Sequence, residues 1–537
     1  MTGSRPSGRD WLAVLLLAFG LVVMLTWPTV PRLATHGRID SNDGQLSIWN
    51  IGWIDHALLT QPSRLFDANI FHPHKGTLAY SELNLVPGLF GLPAYAVSRN
   101  AIAAQNFAVV VALGLSVVLM WALVRRLTGS SEAGLVAGAA FTFCPFVLAH
   151  TAHTQLLMVF GFPLVFLAFH RLFEAPGYGR AAALGAALSC AGLACAYYGI
   201  FVGLALGLVC LALARTSPRY WIALAVSLLV AGVLTLPVVV PYLRARGATG
   251  IAKTFGRDEV QGYSATLATY ATSPSIAHQV FSQGSAESVF PGFVVLALAA
   301  VGVVAGVRSA LAWERRLTWT YLVLALVALW ASFGPNLGLW SALSSVVPMM
   351  SMLRAPVRLG IVVVFALAIL AGFGVRHLAA RRPWLPWALV AAVALELFVP
   401  WPLRAAPPVP RAYTLLAELP RAAVVELLFT YKRTEFFAHT RFMFNSTYHW
   451  QPLLNGYSDL IPPDFEQVAL LMTQFPDPAS FALLRERGVR YVVVHLNDYN
   501  AASREALLAR FPPYEKYLRR LTSDQDIWLY EIVQYPH

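Results

Sequence analysis

The sequence contains little charge: Asp, Glu, Lys and Arg together make up 12% of its 537 residues. Soluble globular domains carry about 25% of such residues. Hydrophobic residues fill the difference here, reaching 57% of the chain with a mean hydropathy of +0.60. This composition excludes a disordered chain, a secreted disulfide-rich protein and a conventional soluble enzyme. It is typical of a protein that crosses a membrane several times.

The sequence is also poor in cysteine and lysine, with four residues of each. All four cysteines fall inside apolar runs, so they form neither a disulfide framework nor a thiolate metal site. The formal charge of +12 comes largely from Arg residues placed singly or in pairs between apolar runs, a pattern that argues against a nucleic-acid partner. No nucleotide-binding loop, nucleophile elbow or zincin motif occurs in a credible context, which argues against a cytoplasmic nucleotide-using enzyme.

Eleven apolar runs predict transmembrane helices. They cover about residues 11–30, 101–124, 131–149, 155–170, 181–196, 199–214, 220–243, 291–307, 317–333, 357–375 and 384–400. The first run is longer than the apolar core of a signal peptide, which spans about 7–15 residues, so we interpret it as an uncleaved helix. We therefore expect residues 1–400 to form a mostly α-helical, polytopic membrane module with about eleven spans.

The positions of Arg residues in the short connections predict the orientation of this module. With a cytoplasmic N-terminus, the inner connections hold most of these residues, including Arg125, Arg126, Arg171, Arg180, Arg215 and Arg219. The short outer turns 150–154 and 197–199 hold no Lys or Arg. An odd number of spans then places the C-terminus outside. The long segments 31–100, 244–290, 334–356 and 401–537 would all face the periplasm or the cell exterior.

The last part of the chain, residues 401–537, has a different pattern. Residues 422–429, 489–496 and 527–533 are apolar runs of strand length, and residues 503–510 have the pattern of a helix. Several prolines between residues 400 and 410 predict a stiff linker before them. We expect a small α/β domain outside the membrane.

The first outer loop holds the densest group of polar residues, beginning with Asp40 and Asp43. Carboxylates at a membrane boundary suit a general base or a metal ligand. The other interpretation of Asp43 is a helix N-cap, because residues 46–54 follow with the spacing of an amphipathic helix lying on the outer interface. The sequence leaves both interpretations open.

Further along this loop, His72, His74, Lys75 and Glu82 lie within eleven positions. A His-Pro-His spacing is a poor metal signal because proline stiffens the backbone between the ligands. These side chains either support the acceptor and the reacting acid or belong to a polar loop held by local hydrogen bonds.

Two more groups of residues suit an anionic ligand. His150 and His153 lie three residues apart in an outer turn, where they would bind a phosphate, complete a metal site or mark the membrane interface. Arg354 and Arg358 lie in the loop before the tenth span, and guanidinium groups bind phosphate oxygens bidentately. The alternative for this Arg pair is contact with anionic lipid headgroups.

The sequence resembles the GT-C superfamily of membrane glycosyltransferases, specifically a bacterial branch. The resemblance is carried by the acidic opening of the first outer loop, the many spans, the C-terminal outer domain and several short segments. These segments are Asn42-Asp43-Gly44, Ser47-Ile48-Trp49-Asn50, Asp67-Ala68-Asn69-Ile70-Phe71, residues 73–82, and Asn455-Gly456-Tyr457-Ser458. It covers nearly the whole chain and encodes no sugar identity.

The resemblance implies transfer of a sugar from a polyprenyl-phosphate donor to a hydroxyl of a glycan, lipid or protein acceptor outside a bacterial inner membrane. It also implies that an outer-loop acid acts as general base, and by position this role falls on Asp43 or Asp40, with Glu82 in reserve. The donor phosphate would be held by Arg354 and Arg358, aided by His150 and His153. The acids are separated by two residues instead of forming a doublet, which leaves the use of a divalent cation open.

Two other classes of function stay open. A lipid or polysaccharide transporter would place ionisable residues at mid-membrane, and these spans are almost free of charge. A non-catalytic membrane assembly factor would use the C-terminal domain for docking, but it would leave the polar first loop without a purpose.

Overall fold

The computed structural model describes residues 7–249, 255–280, 282, 287–379, 382, 384–524 and 526–536. Within these residues the chain forms twenty-one α-helices and six β-strands. The helices of the N-terminal part are α1 (Gly8–Leu25), α2 (Asn42–Thr60), α3 (Leu85–Ser98), α4 (Ala101–Thr128), α5 (Ser131–Thr142), α6 (Pro145–Ala149), α7 (Gly161–Glu174), α8 (Tyr178–Ala194), α9 (Ala196–Ala212), α10 (Pro218–Thr249), α11 (Arg257–Gly262), α12 (Phe293–Val307), α13 (Ala312–Ser332), α14 (Leu339–Val346), α15 (Gly360–Ala379) and α16 (Leu385–Glu396). Those of the C-terminal part are α17 (Arg411–Glu418), α18 (Thr440–Ser446), α19 (Phe465–Met472), α20 (Pro478–Glu486) and α21 (Ala501–Arg510).

The predicted mostly helical architecture is confirmed, and each apolar run of the sequence lies largely in one or two of these helices. In the described part of the chain, five stretches are long and apolar enough to cross a membrane: Gly8–Leu25, Ala101–Thr128, Ser131–Ala149, Pro218–Gly247 and Pro356–Ala379. Helices α3, α9, α12 and α16 are apolar but shorter. The count of about eleven spans stays a prediction.

The outside of the helical part is apolar. Helix α10 leaves large side chains such as Leu228, Leu229, Val233 and Leu236 exposed along its length. Helix α15, in contrast, is largely buried and packs against α5, α12 and α13. Exposed apolar surface on this scale is what a lipid bilayer covers, since soluble proteins keep such patches small.

Helix α2 differs from the amphipathic helix that we expected on the membrane interface. Ten of the eleven residues from Ser47 to Ala57 are buried by protein, and the helix packs against α3, α4 and α18. The tryptophan side chains explain the difference: Trp49 donates a hydrogen bond to Asn69 Oδ1 at 3.0 Å, and Trp53 donates one to the carbonyl of Leu65 at 2.8 Å. The apolar face that suggested membrane contact is covered by the protein's own first loop and C-terminal part.

A carboxyl group is buried within this helix. Asp55 is fully buried, and neither of its carboxyl oxygens has a hydrogen-bond partner among the described residues. Burial raises the pKa of Asp55 to about 8, because a charge is costly away from water. The side chain is therefore protonated in the folded protein at neutral pH.

We expect Asp55→Asn to make the protein more stable than the wild type at alkaline pH. Because the folded-state pKa lies above the unfolded value, the stability contributed by the proton is complete below about pH 4 and is lost as the pH rises towards about 8. A shift of this size corresponds to several kcal/mol, on the order of 1.4 kcal/mol per pKa unit. The apparent Tm in detergent between pH 5 and pH 9 measures the effect. Asp258→Asn, at an exposed position, is the control, and a gap between Asp55→Asn and wild type that stays constant with pH would contradict this account.

The C-terminal part contains a four-stranded sheet of order β3-β4-β6-β5. Its strands are β3 (Ala423–Leu427), β4 (Val489–His495), β5 (Leu518–Asp524) and β6 (Ile527–Ile532); the short strands β1 (His36–Gly37) and β2 (Arg404–Ala405) pair with each other elsewhere. β3 and β4 are parallel, whereas β6 is antiparallel to both β4 and β5. The three strands and the helix predicted in this region are present. β5 escaped the sequence analysis because its edge position leaves its Arg side chains exposed.

The first outer loop and the C-terminal part share one hydrophobic core. Phe71 donates its backbone N–H to Asn455 O at 3.0 Å, and Leu453 donates to Asn69 O at 2.8 Å. A Cβ on Gly456 would lie 2.7 Å from the Phe71 ring, so only glycine permits this approach. Residues about 380 positions apart in the chain thereby form one folded body.

Candidate functional site

The candidate base lies in the first turn of α2. Ser41 caps the helix by accepting the N–H of Gly44 at 3.1 Å, so the capping bond belongs to Ser41 and not to Asp43. The Asp43 side chain is 55% exposed. A Cβ on Gly44 would lie 1.8 Å from the carbonyl oxygen of Arg38, so glycine is required where the chain folds back on itself. The helix start therefore holds a carboxylate that faces solvent.

Asp40 lies beside this turn in an ion pair. Its Oδ1 accepts from Arg38 Nε at 2.9 Å, and the same guanidinium donates a second hydrogen bond to the Thr151 hydroxyl. Asp40 is thus engaged in joining the first loop to the turn 150–154. This geometry favours a supporting role for Asp40 over the role of base.

The turn 150–154 is fixed from two sides. Ser47 of α2 donates to Ala152 O at 2.9 Å, and Gln105 of α4 donates to Thr154 Oγ1 at 2.8 Å. This framework brings His153 Nε2 to 3.4 Å from Asp43 Oδ2. The structure therefore pairs His153 with the candidate base.

His150 lies behind His153, with 5% of its side chain exposed and the two ring centroids 6.0 Å apart. Its Nδ1 donates to Phe146 O at 2.7 Å, and its Nε2 lies 3.0 Å from Glu287 Oε2. Both ring nitrogens are occupied, which disfavours a direct contact between His150 and a phosphate. Sequence reasoning missed Glu287, because nothing local in its loop marks it.

Arg354 and Arg358 converge on Tyr197, at the start of α9. Arg354 donates its backbone N–H to the Tyr197 hydroxyl at 3.3 Å, and the Arg358 guanidinium lies 4.6 Å from the centre of the Tyr197 ring. Arg354 also lies 4.4 Å from the ring centre of Tyr263 and 4.0 Å from Glu259 Oε1. Arg358 Nε is buried and lacks a hydrogen-bond partner among the described residues. A buried donor without a partner is uncommon in folded proteins, and a ligand oxygen that reached this group would supply the missing acceptor.

Glu82 lies at the N-terminus of α9, where Oε1 accepts the N–H of Ala196 at 2.5 Å. Burial raises the pKa of Glu82, and the Ala196 hydrogen bond and the charge of Arg358 oppose this effect in part. Asp459 of the C-terminal part also acts on Glu82 electrostatically. Glu82 therefore lies on the same side of the site as the Arg pair.

The C-terminal part contributes Tyr457 to the site. Burial raises the pKa of Tyr457, and the charges of Asp459 and Asp43 raise it further, whereas Arg354 lowers it. Tyr457 is therefore within electrostatic range of both Asp43 and Arg354. The Asn455-Gly456-Tyr457-Ser458 segment was noted in the sequence, but its place beside Asp43 was not predicted.

The remaining residues of the first loop face the C-terminal part. His72 Nε2 contacts Arg487 O at 3.0 Å, and His74 Nε2 contacts Asp464 Oδ1 at 2.9 Å. Lys75 is exposed beside them. Of the two interpretations left open, these contacts favour a polar loop held by hydrogen bonds.

The candidate acids do not belong to a preformed metal site among the described residues. Among the described residues, no group of three or more His, Cys, Asp and Glu side chains is placed to hold a metal ion. Asp43 and Asp40 are engaged with different partners, His153 and Arg38.

Comparison with solved structures supports the resemblance seen in the sequence. The chain superposes along its full length on 42% of the arabinofuranosyltransferase AftD from Mycobacteria, with a TM-score of 0.62 and 15% identity. It also aligns over 98% of its length with 74% of the oligosaccharyltransferase AglB from Archaeoglobus fulgidus (TM-score 0.47, 11% identity) and with 98% of ArnT from Cupriavidus metallidurans (0.44, 15%). No protein-family model and no curated protein sequence matches the chain.

The similarity to AftD shows the fold. The chain therefore shares its architecture with AftD, as the resemblance to membrane glycosyltransferases implies. The chain spans less than half the length of AftD, and the identity is low, so substrates do not transfer from one protein to the other.

Proposed function

We propose that the protein is a membrane glycosyltransferase that moves a sugar from a polyprenyl-phosphate donor to an acceptor hydroxyl outside the membrane. The architecture it shares with AftD supports this class of reaction. Asp43 is the proposed general base, and Arg354 and Arg358 are the proposed ligands of the donor phosphate.

The observation that carries the proposal is the convergence of one exposed carboxylate and two Arg residues from distant segments. Asp43 comes from the first loop and the Arg pair from the segment before α15, yet Asp43 and Arg354 both act on Tyr457. His153, which contacts Asp43, is in turn influenced by Arg358. A base and a phosphate-binding group that act on the same neighbouring side chains suit a donor whose reactive carbon lies between them.

The proposed reaction needs one base. The acceptor oxygen attacks the anomeric carbon and forms the new glycosidic bond while its proton passes to Asp43. The bond from the anomeric carbon to the phosphate oxygen breaks, and its electron pair leaves with the lipid phosphate. Arg354 and Arg358 stabilise the charge that develops on that phosphate, and Asp43 later releases its proton to water.

The other candidate residues take supporting roles in this proposal. Asp40 orients the first loop through Arg38, and Glu82 shapes the start of α9 beside the Arg pair. His72, His74 and Lys75 support the loop against the C-terminal part. The acceptor is a glycan, lipid or protein. EDTA treatment tests whether transfer requires a divalent cation.

In the proposed topology the N-terminus is cytoplasmic, residues 1–400 cross a bacterial inner membrane about eleven times, and residues 401–537 form an extracytoplasmic α/β domain. We expect alkaline phosphatase fused after residue 537 to be active, because that enzyme works only after translocation. A green fluorescent reporter at the same position should be dark. The opposite pair of results would contradict both the topology and the site.

The test of the function is transfer by the purified protein in detergent from a panel of polyprenyl-phosphate sugars. Transfer to water or to an added acceptor should appear with at least one donor. Donor movement across liposomes without any transfer would favour a transporter, and inactivity in both assays would favour an assembly factor.

A further inference from the structure

His153 lies between the proposed base and the positively charged side of the site. On one side its Nε2 is 3.4 Å from Asp43 Oδ2. On the other side are His150, paired with Glu287 at 3.0 Å, and Arg358. The turn that carries His153 is fixed by α2 and α4, so its ring is held in this place.

Both ring nitrogens of His150 face acceptors. Phe146 O can only accept, so Nδ1 carries a hydrogen. On the other side of the ring, Nε2 lies 3.0 Å from Glu287 Oε2. Burial disfavours the ionised form of Glu287, but His150 and Arg358 hold its pKa below the ordinary value. These contacts hold the His150 ring next to His153, where the charge of Arg358 also acts.

These surroundings keep His153 neutral. Burial lowers the pKa of His153 to about 4, with His150 and Arg358 acting in the same direction and Asp43 and Glu287 opposing them. A neutral imidazole has one N–H, and the Asp43 carboxylate is an acceptor placed against Nε2. The two atoms are 3.4 Å apart, longer than an ordinary hydrogen bond, so a small shift of either side chain completes the bond.

A neutral donor suits a base better than a cation does. A cation beside a carboxylate favours the ionised form and makes the carboxylate a weaker base. A neutral N–H orients the carboxylate with a smaller loss of basicity. The burial of His153 and the charge of Arg358 serve this purpose.

We propose that His153 is a positioning residue for Asp43, which it orients through a neutral Nε2–H donor. This inference rests on the proposed function, because it concerns the base of that reaction. In this proposal His153 assists the activation of the acceptor hydroxyl and does not bind the donor phosphate.

Three variants at this position test the assignment. His153→Gln keeps an N–H close to the place of Nε2 and should retain kcat within a few-fold of the wild type. His153→Ala removes the donor and should lower kcat by about 10–100-fold, the usual effect of losing such a supporting contact. The KM for the donor should stay unchanged in both variants.

His153→Lys places a cation beside Asp43. We expect it to lower kcat as His153→Ala does and to move the acidic limb of the pH–rate profile to lower pH, since a cation lowers the pKa of a carboxyl group. Glu505→Gln, at an exposed position on α21, is the control for preparation and handling. Apparent Tm values measured in parallel identify any variant that is simply misfolded.

Several outcomes would overturn the inference. His153→Gln as inactive as His153→Ala, a fully active His153→Lys, or a rise in donor KM in place of a fall in kcat would each do so. Failure of the proposed function is a different result: transfer that Asp43→Asn leaves intact. Transfer that Asp43→Asn abolishes and His153→Ala leaves at full kcat overturns only the inference made here.

Discussion

Asp43→Asn is expected to lower kcat for sugar transfer by about 10²–10⁴, the usual contribution of a general base. Asn keeps the size of the side chain and its place in the first turn of α2, but it cannot take a proton from the acceptor hydroxyl. Because Ser41 makes the capping bond, the helix start should survive the change. Steady-state transfer with a saturating donor measures kcat, and the apparent Tm verifies folding.

Comparison with the other acids tests the choice of Asp43. Asp40→Asn should cost less, because Asp40 acts through its ion pair with Arg38. Glu82→Gln keeps an oxygen that accepts the Ala196 N–H and should also retain most activity. Full activity of Asp43→Asn together with an inactive Glu82→Gln would show that the base is Glu82. Full activity of all three variants would remove the enzymatic interpretation of this loop.

Arg358→Ala is expected to raise the KM for the lipid-linked donor by about 5–150-fold, which corresponds to about 1–3 kcal/mol for a charge-assisted hydrogen bond. The Nε–H of Arg358 is buried without a hydrogen-bond partner among the described residues. A phosphate oxygen of the lipid-linked sugar would supply the missing acceptor to a group already removed from water. Binding of undecaprenyl phosphate to the purified protein measures the same effect without turnover. Arg358→Lys keeps a charge but loses the planar fork, so it should recover only part of the affinity.

Arg354→Ala should show a smaller effect in the same direction, because the Arg354 side chain is 43% exposed and its guanidinium is shared between Tyr263 and Glu259. Arg504→Ala, at an exposed position on α21, is the matched control. Undecaprenyl phosphate binding that neither Arg354→Ala nor Arg358→Ala weakens would contradict the phosphate site.

Local patterns in the sequence predicted most of the secondary structure. Apolar runs predicted α1, α4 to α10, α12, α13, α15 and α16, and runs of strand length predicted β3, β4 and β6. β5 was missed because an exposed edge strand carries Arg519 and Arg520 and has no apolar signature. The surroundings of α2 were misjudged for a related reason: an apolar face shows that something covers a helix, but not whether lipid or protein does.

The site was predictable only in part, for a different physical reason. Asp43, Arg354 and Arg358 could be proposed because each lies next to a predicted span, where charged side chains are uncommon. Glu287 and Tyr457 are recognisable as site residues only through His150 and Asp43, which lie more than 100 residues away from them in the sequence. The hydrogen bonds of His150 that argue against a phosphate contact were equally invisible in the sequence.

The core shared by the first loop and the C-terminal part constrains the order of events during biosynthesis. Phe71 emerges early, but Gly456, against which its ring packs, follows 385 residues later. At ribosomal rates of about 5–20 residues per second, the first loop waits roughly 20–80 s for its partner. During that interval α2 lacks the cover that buries Trp49 and Trp53, so the nascent chain exposes an apolar surface that lipid or a chaperone must shield. Tyr457 is synthesised long after Asp43, so the proposed site is assembled only once this segment of the C-terminal part has been made.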